Sequence, residues 1–136
     1  PAGAGTRAGH VETSPVQAFD VAATLLDAGD AAPLDGTPAR SLLPMVTGDS
    51  DRSSSARDWA ISMIRMRPGS PTWQAITDGR WRVTINADTG EPSEVFDLAF
   101  DPDEATNLVG DGRAGEPLEA LTTALATTFS GNDGES

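Results

Sequence analysis

The sequence predicts an α+β fold: a four-stranded antiparallel sheet with a C-terminal helix packed on it, preceded by another helix and a long loop. Several stretches between residues 59 and 100 place side chains with the two-residue period of strands. One hairpin signal stands out among them, the Asp78-Gly79 pair, which is typical of a tight turn. Residues 15–28 and 116–129 instead repeat apolar side chains at helical spacing, which predicts the two helices.

The composition describes an acidic chain that can bury one core. The 136 residues carry a formal net charge of −12, all nine basic residues are Arg, and there is no Cys. The missing Cys excludes disulfides and thiolate metal sites within the chain. The negative charge disfavours nucleic acid and polyanionic glycans as partners. It also fits a halophilic source, and the start at Pro1 fits the loss of a preceding segment.

No run of the sequence is apolar for long enough to cross a membrane, so we expect a soluble chain without a membrane partner.

The first predicted helix covers residues 15–28. Ser14 is placed to cap it, Pro15 suits its first position, and Gln17 can close a capping box. Gly29 is its expected end. The side chains divide into an apolar face (Val16, Phe19, Ala22, Ala23, Leu26) and a polar face (Gln17, Asp20, Thr24, Asp27). We expect Phe19 and Leu26 to lack a packing partner within this segment.

The sheet follows a long loop over residues 30–57. We predict its strands at residues 59–64, 72–77, 80–86 and 94–100. The first strand has apolar side chains on both faces, which predicts a central or well-covered position. The fourth places Phe96, Leu98 and Phe100 on one face. Asp101-Pro102 should end it, because proline lacks the amide that a ladder needs.

The last helix, at residues 116–129, presents a narrow apolar stripe of Leu118, Leu121, Leu125 and either Thr128 or Phe129. A stripe this narrow needs cover in water, so the helix should lie across the apolar face of the sheet. Tryptophans on the strands (Trp59, Trp73, Trp81) are expected in the core, the alternative being a platform for stacking sugars.

Four arginines are the candidate substrate contacts of this segment: Arg65, Arg67, Arg80 and Arg82. They occur as two pairs at strand spacing, so coinciding faces would gather four guanidiniums that suit an oxyanion. The interpretation we favour pairs them with acidic residues across the sheet, namely Asp58, Asp78, Glu94 or Asp97.

No residue is predicted to be catalytic or to bind a metal. The acidic residues after the fourth strand do not fit a calcium loop, because the pattern fails at Ala105. A turn capped by Asp101 and Asn107 is the better interpretation. His10, the only histidine, has no nearby nucleophile or acid partner.

The residues at 94–108 carry a resemblance to a known family. Val95-Phe96-Asp97-Leu98 stands where sulfatases have Leu-Tyr-Asp-Leu, and Asp101, Pro102, Glu104, Asn107 and Leu108 follow at the spacing of the sulfatase pattern Asp-Pro-x-Glu-x-x-Asn-Leu. The stretch 15–29, which includes Asp20, resembles a second sulfatase segment, and 41–48 and 80–86 resemble two more in the same order. The chain thus resembles the C-terminal part of a sulfatase.

This resemblance implies a parent enzyme that hydrolyses sulfate esters with a formylglycine nucleophile and a divalent cation, calcium or magnesium. The serines at Ser14-Pro15, Ser41-Leu42 and Ser70-Pro71 do not stand in the Cys/Ser-x-Pro-x-Arg motif from which formylglycine arises. We therefore expect both nucleophile and metal to lie outside this segment, and the segment alone to be inactive. The implied partners are the missing N-terminal catalytic domain and a small-molecule or glycan sulfate ester.

The resemblance also divides the chain. Residues 1–56 would be the tail end of the catalytic domain, 57–130 a C-terminal subdomain, and 131–136 a disordered tail. Two alternatives remain open: a non-catalytic acidic interaction module, or the C-terminal part of a related phosphoester hydrolase.

Overall fold

The computed structural model describes residue 9, residues 11–47 and residues 56–130. The chain forms two compact units that meet in sequence between Asp58 and Trp59, and each is described by itself below. The predictions for His10 and for the tail at 131–136 fall outside the described residues. Among the helices of the described part, none has the length and hydropathy needed to span a membrane.

The first unit contains two helices, α1 (Ala18–Ala28) and the short α2 (Leu43–Thr47), joined by a loop. Helix α1 begins three residues later than predicted, with Gln17 as its N-cap. Ser14 does not cap it, because its hydroxyl donates to the carboxylate of Glu12 at 2.8 Å. The helix ends at Gly29 as predicted, but the left-handed residue that reverses the chain is Asp30, with φ 52°.

Helix α1 turns its polar face towards the rest of the first unit. Asp20 is completely buried, whereas Val21 and Leu25 are 56% and 69% exposed. The hydroxyl of Thr24 accepts the backbone N–H of Leu42 at 2.8 Å. The loop between α1 and α2 therefore binds helix α1 through hydrogen bonds, because backbone N–H groups that are removed from water need another acceptor. Phe19 is 37% exposed.

The second unit is a meander of antiparallel strands: β1 (Ala60–Arg65), β2 (Thr72–Thr77), β3 (Trp81–Asn86) and β4 (Pro92–Asp97), in the order β1-β2-β3-β4. A 3₁₀ turn (Gly112–Ala114) leads into helix α3 (Gly115–Ser130). This is the predicted α+β arrangement. Its core joins one face of the sheet to the helix through Ile76, Val83, Ile85, Val95, Leu121 and Leu125.

The apolar stripe of α3 packs as its spacing predicts. Leu121 and Leu125 are 5% and 2% exposed, and Leu118 packs against the same cluster. Thr128 is exposed and does not belong to the stripe. Trp59 and Trp81 pack against the core, whereas Trp73 lies on the other face of the sheet, because side chains alternate along a strand and Ile76 faces the core.

The predicted position of the first strand is wrong: β1 is an edge strand of the sheet. Met63 and Ile64 are 54% and 59% exposed. Apolar residues on both faces of a strand indicate burial only when other elements cover both faces of the sheet. As the first strand of a meander, β1 also has a neighbouring strand on one side only.

The fourth strand is shorter than predicted and ends at Asp97. The carbonyl oxygen of Asp97 accepts the backbone N–H of Phe100 at 3.1 Å and of Asp101 at 2.8 Å, so the chain turns before Asp101-Pro102. Phe100 consequently leaves the face of Phe96 and is 84% exposed. Alternation alone did not reveal this turn, because Leu98 and Phe100 continue the strand pattern.

Candidate functional site

The hairpin between β2 and β3 places Arg80 beside the end of β4. Gly79 adopts φ 93°, and the carboxylate of Asp78 accepts the backbone N–H of Arg80 at 2.8 Å and of Trp81 at 2.7 Å. The two central residues of the turn are therefore Gly79 and Arg80, one residue later than the Asp78-Gly79 pair predicts. Arg80 then donates from Nε and Nη2 to the two carboxylate oxygens of Asp97, at 3.3 and 3.1 Å.

Asp101 shapes the loop that follows β4. Its carboxylate accepts the backbone N–H groups of Ala105 at 3.0 Å and Thr106 at 2.8 Å. Glu104 stands in the left-handed region with φ 54°, and its carboxylate accepts Nη2 of Arg82 at 2.6 Å. These side-chain bonds fold the loop back towards the sheet, in the manner of acidic turn residues.

Asn107 fastens the same loop to the free edge of β4. Its amide oxygen accepts the N–H of Val95 at 3.1 Å and of Val109 at 3.0 Å, and its Nδ2 donates to the carbonyl of Ser93 at 2.8 Å. The next residue continues the contact, because the N–H of Leu108 donates to the carbonyl of Val95 at 2.8 Å. The side chain of Asn107 therefore stands where a neighbouring strand would place a peptide group.

Arg113 reaches the same region from the 3₁₀ turn before α3. It donates from Nε and Nη2 to the carboxylate of Asp111, at 3.0 and 2.8 Å. These bonds, together with the hydrogen bond from the backbone N–H of Arg113 at 2.9 Å, lower the pKa of Asp111 to about 2. The charge of Arg113 also acts on Asp97, whose pKa is held below its usual value mainly by the hydrogen bond from Arg80.

These elements enclose a cleft of about 450 Å³, which we call the Arg80 cleft. It is lined by Arg80, Trp81, Asp97, Phe100, Asp101, Thr106, Leu108 and Arg113. The guanidinium of Arg80 lies 5.3 Å from the ring centroid of Trp81 and 6.0 Å from that of Phe100. The cleft thus combines two guanidiniums, the two carboxylates of Asp97 and Asp101, two aromatic rings and a hydroxyl, which is a set suited to a small polar ligand.

Sequence reasoning singled out Arg80 in this cleft but missed Phe100 and Arg113. Phe100 was placed in a strand, and Arg113 lies far along the chain in a loop without a recognisable pattern. The only signal for Arg113 is its spacing from Asp111, which allows the local ion pair.

The four predicted substrate-contact arginines do not form one patch. Arg82 lies on the sheet face opposite α3, where its guanidinium lies 5.1 Å from the Phe96 ring centroid and pairs with Glu104 at 2.6 Å. Arg65 donates from Nε to the hydroxyl of Thr72 at 2.7 Å. Arg67 is exposed in the loop after β1. Only Arg80 lines the Arg80 cleft.

A second, smaller cleft of about 260 Å³ lies on that opposite face, beside Arg82, Trp73 and Thr84. Within the described part of the chain, Nε of Arg82 and the hydroxyl of Thr84 are buried without a hydrogen-bond partner. Glu94 borders this cleft, and its carboxylate lies 3.7 Å from Nη2 of Arg82. The positive charge of Arg82 is therefore balanced by two carboxylates, those of Glu94 and Glu104.

The first unit contains a buried ion pair. Asp20 accepts Nε and Nη2 of Arg57 at 3.0 and 2.6 Å, and the backbone N–H groups of Gln17 and Arg40 at 2.8 and 2.9 Å. Burial opposes ionisation of this carboxyl, but the four donors outweigh it and hold the pKa of Asp20 below its usual value. Arg57 also lies over the ring of Phe19, at 5.3 Å.

Among the described residues, no group of three or more His, Cys, Asp or Glu side chains is placed to hold a metal ion. The divalent cation that the sulfatase resemblance implies stays a prediction for the parent enzyme.

Comparison with known proteins finds similar solved structures and no similar sequence. No family model and no curated protein matches the sequence. A phosphonate monoester hydrolase from Silicibacter pomeroyi is similar with a TM-score of 0.73 and 21% identity, over 94% of this chain and 28% of that one. A 2-O GAG sulfatase is similar with a TM-score of 0.69 and 22% identity, over 81% and 24% of the two chains.

A third structure, solved with its substrate D-glucosamine-2-N,6-O-disulfate, gives a TM-score of 0.66 at 21% identity, over 84% of this chain and 24% of that one. The chain therefore spans about a quarter of the length of these structures. At such identities the similarity establishes the fold. The chain has the fold of a part of sulfatases and phosphonate monoester hydrolases, which agrees with the resemblance noted in the sequence.

Proposed function

We propose that this chain is the C-terminal part of a sulfuric ester hydrolase of the sulfatase family. The observation that carries the proposal is the segment 94–108. Its residues follow the sulfatase pattern in order, and Asp97, Asp101, Glu104, Asn107 and Leu108 each bind a specific group of the sheet or its loop. The segment belongs to a chain whose fold is similar to part of a 2-O GAG sulfatase.

The chemistry of the parent enzyme belongs to residues outside this chain. The family uses a formylglycine nucleophile and a divalent cation, which stabilise charge on the sulfuryl oxygens during transfer. In our proposal this chain packs against the catalytic part and shapes one wall of the substrate cleft. The exposed apolar side chains of helix α1 support that role, because Val21 and Leu25 are four residues apart and therefore neighbours on the helix surface.

A second candidate function is hydrolysis of phosphonate monoesters. The observation in its favour is the similarity to the Silicibacter pomeroyi hydrolase, which extends over 94% of this chain. Both reactions transfer a tetrahedral oxyanion group, so a common scaffold can serve either. The sequence pattern at 101–108 favours the sulfate esterase. A non-catalytic interaction module is the remaining alternative.

The test is an assay of the complete gene product beside the isolated chain. We expect the product of the full reading frame to contain a Cys/Ser-x-Pro-x-Arg motif and to hydrolyse 4-nitrophenyl sulfate with a higher kcat/KM than a phenylphosphonate monoester. The isolated chain of 136 residues should hydrolyse neither. A preference for the phosphonate would support the second candidate, and sulfatase activity of the isolated chain would overturn the proposal.

A further inference from the structure

The Arg80 cleft holds two guanidiniums that are oriented but only partly used. Arg80 and Arg113 each bind a carboxylate through Nε and Nη2, and neither Nη1 donates to another described residue. Their side chains are 56% and 76% exposed. Asp97 and Asp111 thus fix the planes of the two guanidiniums and leave donors available to a ligand, since each guanidinium has five N–H groups.

Phe100 provides an apolar surface beside these donors. The ring is 84% exposed, although its backbone is held by the hydrogen bond to the carbonyl of Asp97. Leu108 and the half-buried Trp81 extend the apolar lining. An exposed aromatic ring next to a guanidinium is suited to a ligand whose own ring stacks on it while the anionic group of the ligand binds the guanidinium.

The size and charge of the cleft narrow the ligand class. A volume of about 450 Å³ lies in the range of small-molecule sites. Asp97 and Asp101 also line the cleft, but their oxygens are bound by Arg80 and by the backbone N–H groups of Ala105 and Thr106. In a chain of net charge −12 a polyanion would be repelled, whereas a single negative charge can be held locally by the two guanidiniums. Nε and Nη2 of both guanidiniums already bind carboxylates of this chain, so the carboxylate of a ligand would be bound through the Nη1 donors.

We propose that the Arg80 cleft binds a small ring compound bearing one carboxylate, with the carboxylate on Arg80 and Arg113 and the ring on Phe100. The proposal goes beyond the function proposed above, because it requires no catalytic part and concerns this chain alone. Two sources share the chemistry, an aromatic acid and a sugar acid, and the experiment distinguishes them.

The test is an NMR titration of the ¹⁵N-labelled chain with benzoate, glucuronate, acetate and glucose, each up to about 10 mM, which is ten times the dissociation constant of a millimolar site. We expect saturable shifts of the Trp81 indole N–H and of the Phe100 and Thr106 amides with at least one ring acid. Benzoate alone would identify an aromatic acid, and glucuronate alone a sugar acid. Acetate and glucose should shift these signals weakly.

Matched variants test the two contacts separately. Arg113→Gln and Phe100→Ala should each weaken binding about ten-fold, the loss expected for one charge-assisted hydrogen bond or one stacked ring. Arg67→Gln repeats the arginine change, and Met66→Ala removes another large exposed apolar side chain, both at positions outside the cleft, so both should leave binding unchanged. Unshifted core amides of Val83 and Leu125 would show that each variant keeps its fold.

The proposal is overturned if no ring acid gives saturable shifts at the Arg80 cleft. It is equally overturned if acetate binds as tightly as the ring acids, or if Phe100→Ala and Met66→Ala behave alike. None of these outcomes bears on whether the full-length protein hydrolyses sulfate esters.

Discussion

Two arginine–aspartate pairs in this chain have similar geometry but different surroundings. The Asp20 side chain is fully buried and its partner Arg57 is 9% exposed. The Asp97 side chain is 11% exposed, whereas its partner Arg80 is 56% exposed. A buried charge requires all its partners, while an exposed guanidinium keeps water-accessible donors. The first pair is therefore structural, and the second borders a cleft open to ligands.

Replacing the buried carboxylate by its isosteric amide, Asp20→Asn, should open the first unit locally. The change leaves the charge of Arg57 without a counterion, at a cost of about 3 kcal/mol. Hydrogen exchange of the Gln17 and Arg40 amides, which donate to Asp20, should accelerate about 100-fold or reach the unprotected rate. Asp35→Asn, at an exposed position, is the control. Unchanged protection of both amides would contradict the structural role of the pair.

The pair between Asp111 and Arg113 predicts a measurable titration. Because Arg113 lowers the pKa of Asp111 to about 2, the folded carboxyl stays ionised at pH values where an unfolded one, with a pKa of about 3.9, takes up a proton. Its contribution to stability is therefore present above about pH 4 and is lost as the pH falls towards 2. A carboxyl-carbon NMR titration measures this value. Arg113→Gln should return the midpoint towards that of a free carboxyl, and a midpoint that does not move would assign the shift to another cause.

At the scale of elements, the two edge strands of the sheet, β1 and β4, differ in their surroundings. The edge of β4 is covered by the loop at 107–109, through Asn107 and Leu108. β1 has a strand on one side only within the sheet, and its residues Met63 and Ile64 are exposed. An uncovered edge is a surface on which another chain segment can pair. The residues that resemble the sulfatase pattern thus close one edge of the sheet.

Asn107→Ala should release this loop without unfolding the core. The variant removes three hydrogen bonds to backbone groups, which stabilise the loop by roughly 1–3 kcal/mol together. We expect faster hydrogen exchange at the Val95 and Val109 amides and unchanged exchange at Val83 in the neighbouring strand. Asp103→Ala, an exposed change in the same loop, should alter neither. Equal exchange of Val95 in both variants would show that Asn107 does not hold the edge.

At the scale of the molecule, the two units differ in what stabilises them. All the buried hydrophobic side chains of the described residues lie in the second unit, from Ile76 to Leu125. Among residues 11–47 and 56–58, the buried ones are Asp20 and Pro44. The hydrophobic effect dominates folding free energy, so a unit held chiefly by polar contacts should open more readily.

We therefore predict unequal protection along the chain. Amides of β2, β3 and α3 should exchange slowly, at rates set by cooperative unfolding of the second unit, whereas those of α1 should exchange much faster. Native-state hydrogen exchange followed by NMR measures both in one sample. Equal protection of α1 and β3 would mean that the first unit is stabilised as strongly as the second. If the proposed catalytic part covers the exposed side chains of α1, the full-length protein should show slower exchange in α1 than the isolated chain.

The sequence by itself determined the types and order of the main elements. Proline and glycine at turns, the two-residue period of the strands and the leucine spacing of α3 act over a few neighbouring residues, so they can be recognised without a fold. The same is true of the turn residues Asp101 and Asn107. The sulfatase resemblance likewise rested on local segments in a fixed order.

Only the tertiary structure decided how those elements are used. It placed the polar face of α1 inward, because Arg57 and the backbone N–H of Arg40, both distant in sequence, bind Asp20. It made β1 an edge strand and ended β4 at Asp97. It also brought Arg80 and Arg113 to one cleft. Each of these depends on contacts between residues far apart in the chain, whose partners no local pattern identifies.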